Sequence, residues 1–393
     1  MRSFGSFSGA AAAALAAAWL GTAAAAEVAV GVRDGLYTVE AENAPLGEIV
    51  RALAERAGLE CRLYGNLSRP VTAQIESLTL EETLQRLGAA YGIVYRRGPG
   101  EEPVPVSLAL LQDRRGPSPA PRWTRTLEYG KDPQGVGVLD RPETERRGPE
   151  SFAVGPDGSV YLCDTVNGRI LVVPPAPGAL REFPVPGTPV DVACSEDAIL
   201  VLEGRTGALL SYAPDGTLRA EQLIPPDVLR ERMSLESGPD GPFIRTRDGE
   251  ERLLDPARKP PVSSLPAIQA RIGKGGTALI SWSEGTDRRE AVFRTGRILS
   301  VAPLGRDGGG NLYIQVERAG EGGSGVDLGV MKLSPEGAIL DSLDRIPNNY
   351  GNWTARLLAL GPGGEVCQVL PGPDRVAVNC WNWRRKTEEP ELP

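Results

Sequence analysis

The sequence predicts a mainly β protein: a β-propeller of about six blades preceded by a small α/β domain of βαββαβ-like order. Three observations carry this. Short apolar strands alternate with Asp-Gly and Gly-Gly turns at a period of about forty residues. The 48 Gly and 35 Pro among 393 residues favour many tight turns over long helices. Helical spacing of apolar residues is confined to two stretches before residue 98.

Residues 1–26 have the pattern of a secretory leader. Arg2 supplies the positive end, Ala10 to Leu20 the apolar stretch, and Ala24-Ala25-Ala26 an A-x-A cleavage site, so the mature chain is expected to start near Glu27. An uncleaved anchor is the alternative, but the segment is alanine-rich and short for a span. No cysteine follows it, which argues against a lipid-anchored terminus, and no later stretch has the length of a transmembrane helix. The expected location is periplasmic or secreted.

Residues 30–98 form the α/β domain. Leu36 to Ala41 is expected as a strand. Pro45 opens a helix carrying Leu46, Ile49, Val50, Leu53 and Ala57, and Gly58 closes it. Cys61 to Tyr64 and Val71 to Ile75 are short strands. Thr79-Leu80-Glu81-Glu82 has capping-box spacing and opens a second helix with Leu80, Leu84, Leu87 and Tyr91, and Gly92 to Tyr95 is the last strand. Two helices on one face of a single small sheet are expected. The exposed charges Glu48, Arg51, Glu55 and Arg56 are a solvated helix face or a partner surface.

The run Ala44-Pro45-Leu46-Gly47-Glu48-Ile49-Val50-Arg51-Ala52-Leu53, then Ala57-Gly58-Leu59, resembles the secretin and TonB-receptor N-terminal short (STN) domain. Leu78 to Leu84 and Tyr91 to Tyr95 fit its second half. The resemblance implies a periplasmic protein-interaction module of the bacterial envelope without enzymatic activity. The long C-terminal strands of a channel or receptor are not in this sequence, so that part of the family picture does not carry over.

Residues 99–121, with Pro117-Ser118-Pro119-Ala120-Pro121, are expected to be a semi-rigid linker. The apolar run Val106 to Leu111 inside it is a last strand of the first domain or a docking segment. Residues 122–385 hold the repeats, and 386–393 are a tail. Trp123 to Tyr129 is expected to add an outer strand to the last blade and close the ring. Residues 229 to 297 are the degenerate part, where strands but not blade borders can be placed. In Gly148 to Val173, the residues Pro149, Asp157, Gly158, Val160, Tyr161, Leu162, Asp164, Asn167, Arg169 and Ile170 resemble an NHL repeat. Propellers of that type bind proteins, RNA or small ligands, and a minority are lyases or lactonases, so the resemblance implies fold more than activity.

There is no histidine, which removes imidazole as base, proton shuttle or metal ligand. Serine–histidine hydrolysis and histidine-bound zinc or iron are thereby excluded, as is the histidine-dependent chemistry of the lyase-type relatives. The net charge of −8 argues against a nucleic-acid partner. Among the five cysteines, Cys61, Cys163, Cys194, Cys367 and Cys380, no C-x-x-C spacing occurs. Cys367 and Cys380 are close enough to lie on neighbouring strands, and Cys61 is the expected free thiol.

Asp164, Asn167 and Arg169 are the sharpest polar cluster and, with Asp157 and Gly158, are read as a structural blade motif. Glu150, Asp191 and Asn379 are the residues that calcium-assisted lactonase chemistry would draw on. Tyr350, Trp353, Trp381 and Trp383 are aromatic candidates for stacking on a sugar or anchoring a partner, against ordinary packing between blades. The expected function is a non-enzymatic exported interaction protein, with no catalytic residue, no metal and no cofactor assigned. Its short domain would dock an envelope protein and its propeller face would present a second surface. A carboxylate- or calcium-dependent propeller hydrolase or lactonase is the first alternative, and a binding module for a carbohydrate or small ligand the second.

Overall fold

In the computed structural model, described over residues 28–64, 67–98, 100–111, 120–224, 234–238, 241–245, 251–253, 268–284, 287–320, 325–348 and 354–383, the chain is mostly β. Residues 1–26, expected as a leader, residues 112–119 of the expected linker, Tyr350, Trp353 and residues 384–393 lie outside the described residues.

The N-terminal segment runs β1 (Val28–Arg33), β2 (Leu36–Pro45), α1 (Leu46–Ala57), β3 (Glu60–Leu63), β4 (Pro70–Leu78), α2 (Leu80–Arg86), β5 (Tyr91–Arg97) and β6 (Val104–Leu110). Helix α1 buries Leu46, Ile49, Val50 and Leu53 and ends where Gly58 turns left-handed, at φ 69°. Helix α2 is started by the Thr79 capping box: the Thr79 hydroxyl accepts from the Glu82 amide, and the Glu82 carboxylate accepts from the Thr79 amide at 3.0 Å.

The expectation of one small sheet needs correction. The strands divide between two sheets, β1-β2-β4 and β5-β6-β3, and α1 touches both. The reason lies in β5, where Tyr91, Gly92, Ile93 and Val94 are all buried, so both of its faces need cover. Tyr91 and Ile93 face the helices, alongside Leu53 and Leu108. Val94 joins Trp282, Phe293 and Ile339 on the other side. Within the Pro/Gly-rich span, Val104–Leu110 is a strand, antiparallel to β5 and parallel to β3.

The remaining strands follow in successive sheets. After β7 (Trp123–Glu128) come β8 (Phe152–Val154), β9 (Val160–Asp164), β10 (Arg169–Val173) and β11 (Arg181–Pro184). The next sheet holds β12 (Pro189–Cys194), β13 (Ile199–Glu203), β14 (Ala208–Tyr212) and β15 (Leu218–Leu223), and the third holds β16 (Ser234–Gly238), β17 (Gly241–Arg245) and β18 (Glu251–Leu253). The fourth has β19 (Gln269–Ile272), β20 (Ala278–Glu284) and β21 (Asp287–Arg294). The fifth has β22 (Ile298–Arg306), β23 (Leu312–Ala319), β24 (Val326–Leu333) and β25 (Ile339–Ile346), and the last β26 (Ala359–Leu360), β27 (Val366–Pro371) and β28 (Arg375–Trp381).

The arrangement is propeller-like. Each of these sheets is an antiparallel meander, and their first strands touch in succession: β19 with β22, β22 with β26, β26 with β8, β8 with β12, and β12 with β16. Strands β9 and β10 are buried along their whole length because neighbouring sheets cover both faces. Strand β7 pairs with β28, from Trp123 opposite Cys380 to Glu128 opposite Arg375, and so joins the chain before the first sheet to the last one. Cys367 and Cys380 lie directly opposite each other on β27 and β28 and form a disulfide; Cys61, Cys163 and Cys194 are free.

The fourth sheet is finished from outside its own repeat. Only Thr295, Gly296 and Arg297 separate β21 from β22, too few for another strand. The place beside β21 is taken by β5, from Tyr91 opposite Arg294 to Arg97 opposite Arg288, giving the order β19-β20-β21-β5-β6-β3. A Cβ on Gly92 would come within 2.8 Å of Phe293 and of Ile339, both buried. Gly92→Val is therefore expected to lower stability by about 1–3 kcal/mol through overpacking, read from the urea midpoint. An unchanged midpoint would mean that the seam between the two halves is loosely packed.

Candidate functional site

The densest polar arrangement sits where the first strands of several sheets meet. Arg356, just before β26, has a side chain only 10% exposed. It donates to the Phe152 carbonyl at 2.8 Å, the Val192 carbonyl at 3.4 Å, the Leu235 carbonyl, and Asp191 Oδ1 at 3.2 Å. Glu236 lies 3.7 Å away and also faces Arg245 at 3.6 Å, while Arg245 donates to the Pro303 carbonyl at 3.2 Å. Asp191 accepts in addition from the Ser151 hydroxyl at 2.6 Å, the Val192 amide at 2.9 Å and the Leu235 amide at 2.7 Å. One guanidinium thus ties the last sheet to the first three.

The electrostatics follow from burial and pairing. Burial pushes the Asp191 carboxyl above its ordinary value, against the pull of Arg356, Ser151 and the Leu235 amide. Burial acts the same way on Glu236, but the guanidiniums of Arg356 and Arg245 prevail and hold it low. For Arg356, burial favours the neutral form, and the two carboxylates outweigh it and raise the pKa. The cluster is a charged strut with its acids already engaged.

The residues proposed for calcium do not meet. Glu150 pairs with Arg147 and takes the Ala355 amide on its carbonyl at 2.7 Å. Asn379, on β28, accepts from the Thr124 hydroxyl at 3.0 Å and donates to Gln368 at 3.4 Å. Only Asp191 belongs to the central cluster. Among the described residues no three His, Cys, Asp or Glu side chains stand together as a metal site.

Asp164, Asn167 and Arg169 form a closed brace. The fully buried Asp164 carboxylate accepts from the Gly137 amide, Asn167 Nδ2 and Arg169 Nε, each at 2.8 Å. Arg169 also reaches the Asp132 and Gly135 carbonyls at 2.8 Å and pairs with Glu182, and Asn167 donates to the Gly130 carbonyl at 3.0 Å. Together they clamp the loop after β7 onto the first sheet. Asp157 accepts from the Ser159 amide at 3.0 Å, and Gly158 takes the left-handed φ of 77° that this turn requires.

At the matching end of β13 stands Glu203, 2% exposed, which accepts from the amides of Thr188, Arg205 and Thr206 and from the Thr206 hydroxyl. Burial raises its pKa, but these donors win and bring it from 4.5 down to about 2.

The aromatic candidates separate. Trp381 is 2% exposed in the core shared by the last two sheets and has no open ring face for a ligand. Trp383 is half-buried, stands edge-on to Tyr313 at 5.5 Å and donates to the Gly364 carbonyl at 2.7 Å. Lys332 lies over both rings, at 5.2 and 5.9 Å, and 3.4 Å from Asp307, which also takes the Tyr313 hydroxyl at 2.8 Å. These contacts make Trp383 part of the packing between sheets. Glu48, Arg51, Glu55 and Arg56 are exposed on α1.

Arg356 and Glu236 were not among the residues singled out from sequence. The signal that points to them is the repeat itself: Ser151 and its partner Asp191 are 40 residues apart, and the Leu235 amide that also binds Asp191 is 44 further on.

No protein-family model matches the chain, and no curated protein matches it. Solved structures resemble it in general form. One is a streptogramin B lyase, with 12% identity, a TM-score of 0.33, and coverage of 66% of this chain and 97% of the other. Another is regucalcin, a calcium-binding protein from Agrobacterium tumefaciens, with 13% identity, a TM-score of 0.34, and coverage of 59% and 89%. A third is BamB from Moraxella catarrhalis, with 11% identity, a TM-score of 0.31, and coverage of 67% and 98%. These likenesses carry nothing about this chain's activity or partners.

Two outcomes follow for this site. Arg356→Met leaves Asp191 and Glu236 as buried acids without their shared cation, and about 3–5 kcal/mol of unfolding free energy is expected to be lost by urea titration. A loss below about 1 kcal/mol would show that the strut does not hold the sheets. For Glu203 the folded pKa lies below the unfolded one. Its contribution is complete above about pH 4.5 and disappears as pH falls through about 2. Glu203→Gln is expected to melt lower at pH 6 and to show a shallower loss of Tm between pH 4.5 and 2 than the parent. Parallel acid limbs would remove this assignment.

Proposed function

We propose that this protein is an exported, non-catalytic binding protein: a leader over 1–26, an STN-like module over 30–98, and a six-bladed, NHL-like propeller over 122–385. The carrying observation is the engagement of the central acids. Asp191 and Glu236 are tied to Arg356 and to backbone amides, so the centre is built to hold sheets together rather than to receive a cation. The six successive sheets after β6, with β7 added to the last, support the blade count. The leader pattern and the Cys367–Cys380 disulfide support an oxidising compartment outside the cytoplasm, periplasmic or secreted. The sharing of a sheet between β5 and β21 supports a rigid unit that offers the exposed face of α1 and the propeller surface to partners at a fixed angle. An envelope protein is the partner class that the STN-like module suggests.

Isothermal calorimetry of calcium chloride into the mature protein, against a chelator-treated control, tests the non-catalytic reading. No stoichiometric heat is expected. Stoichiometric micromolar binding would overturn the reading and direct attention to lactone and ester hydrolysis.

A further inference from the structure

Strand β7 is the outermost strand of the last sheet, and along Thr124 to Thr126 no described strand pairs with its outer edge. Its alternation can be followed from both sides. The Gly372 amide donates to the Arg375 carbonyl at 2.8 Å, so Arg375 turns its backbone toward β27 and Val376 turns toward β7. Leu127, Arg125 and Trp123, opposite Val376, Val378 and Cys380, therefore use their backbone groups on β28. On the other edge, the Glu128 carbonyl accepts from the Val136 amide at 2.9 Å. Thr126 and Thr124, two and four residues back, point their N–H and C=O to that same outer edge, where no described strand lies.

This edge opens into a cleft of about 540 Å³ bounded by β7, by Asp132 to Gly135 in the following loop, and by Leu180 before β11. Arg125 donates to the Gly178 carbonyl at 2.6 Å and holds the far wall in place. The loop is pinned by Arg169 through the Asp132 and Gly135 carbonyls. Two carboxylates, Glu128 and Asp132, are among its lining residues, and neither has a cationic partner among the described residues. The half-buried Leu180 supplies apolar surface, while Leu127 turns its side chain into the core.

We propose that the cleft along β7 binds an extended peptide segment of a partner protein by strand addition, with the backbone paired to Thr124 and Thr126 and a lysine or arginine seated against Glu128 and Asp132. The open rungs give affinity and the unmatched carboxylates choose the charge of the occupant. This deepens the binding reading above and rests on it. It also explains why the Asp164–Asn167–Arg169 brace holds the 130–137 loop so firmly, since that loop is a wall of the cleft.

The probe is a set of acetylated, amidated, fluorescein-labelled pentapeptides with Lys or Arg fixed at each position in turn and Val, Ile or Thr elsewhere. Anisotropy with the full mature chain is expected to find a member with Kd on the order of 10–100 μM that weakens as salt rises. Thr126→Pro removes an outward N–H that the fold does not use, and is expected to weaken that peptide about tenfold with an unchanged melting curve. N-methylation of the peptide amide gives the same loss without altering the protein. Glu128→Gln with Asp132→Asn is expected to abolish the preference for basic over acidic peptides. No member binding below about 1 mM, or binding that survives both Thr126→Pro and N-methylation, would overturn the proposal. Tighter peptide binding after removal of residues 384–393 would make the chain's own C-terminal segment, through Arg384, Arg385 and Lys386, the occupant and overturn the partner assignment. Silent peptides with silent calcium titrations dispose of the cleft alone, whereas stoichiometric calcium binding disposes of the non-catalytic reading whatever the peptides do.

Discussion

The guanidinium of Arg356 is the contact on which the arrangement of the sheets most depends. It supplies hydrogen bonds to carbonyls of three different first strands and charge to Asp191 and Glu236. Apolar packing between sheets is strong but tolerates sliding, whereas a planar fork of donors fixes distances and angles. A buried charge of this kind is costly unless every partner is in place, so the network favours one relative placement of the first, second, third and last sheets.

A second constraint operates at the periphery. Strand β5 has two apolar faces, one matched to α1 and the other to Phe293 and Ile339. Neither half of the molecule covers it alone. The seam is made of main-chain hydrogen bonds along seven residue pairs, backed by the tight approach at Gly92. The N-terminal segment is thereby part of the same sheet system as the repeats rather than an appended bead. Whatever docks on the exposed side of α1 meets a support continuous with the blades.

Local features were legible in the sequence, and long-range ones were not. The bounds of α1, the Thr79 capping box, the turn at Asp157-Gly158, the outer role of Trp123 to Glu128 and the neighbourhood of Cys367 and Cys380 each follow from spacing over a few residues or from the period. Helix α2, by contrast, ends at Arg86, and Tyr91, expected on that helix, opens β5 instead. The pairing of β5 with β21 left no such trace. A buried central strand reads as an apolar run whether its neighbour is near or far in the chain. Arg356 was missed because its segment carries no motif and its partners come from three repeats. The sequence leaves Trp381 between ligand stacking and packing between blades, because clustering along the chain does not report which side of a strand faces the core.

Two strands made early in synthesis must wait for partners made late. Gly92 sits against Phe293, and Thr124 against Asn379, so neither β5 nor β7 is seated until most of the repeats exist. Until then the chain carries two unsatisfied strands among exposed apolar surface, the condition that invites wrong pairing and aggregation. Closure is consequently governed by contacts distant in the chain, which makes for slow folding. Such a closing order places the hazard in assembly, before the last repeats have been made.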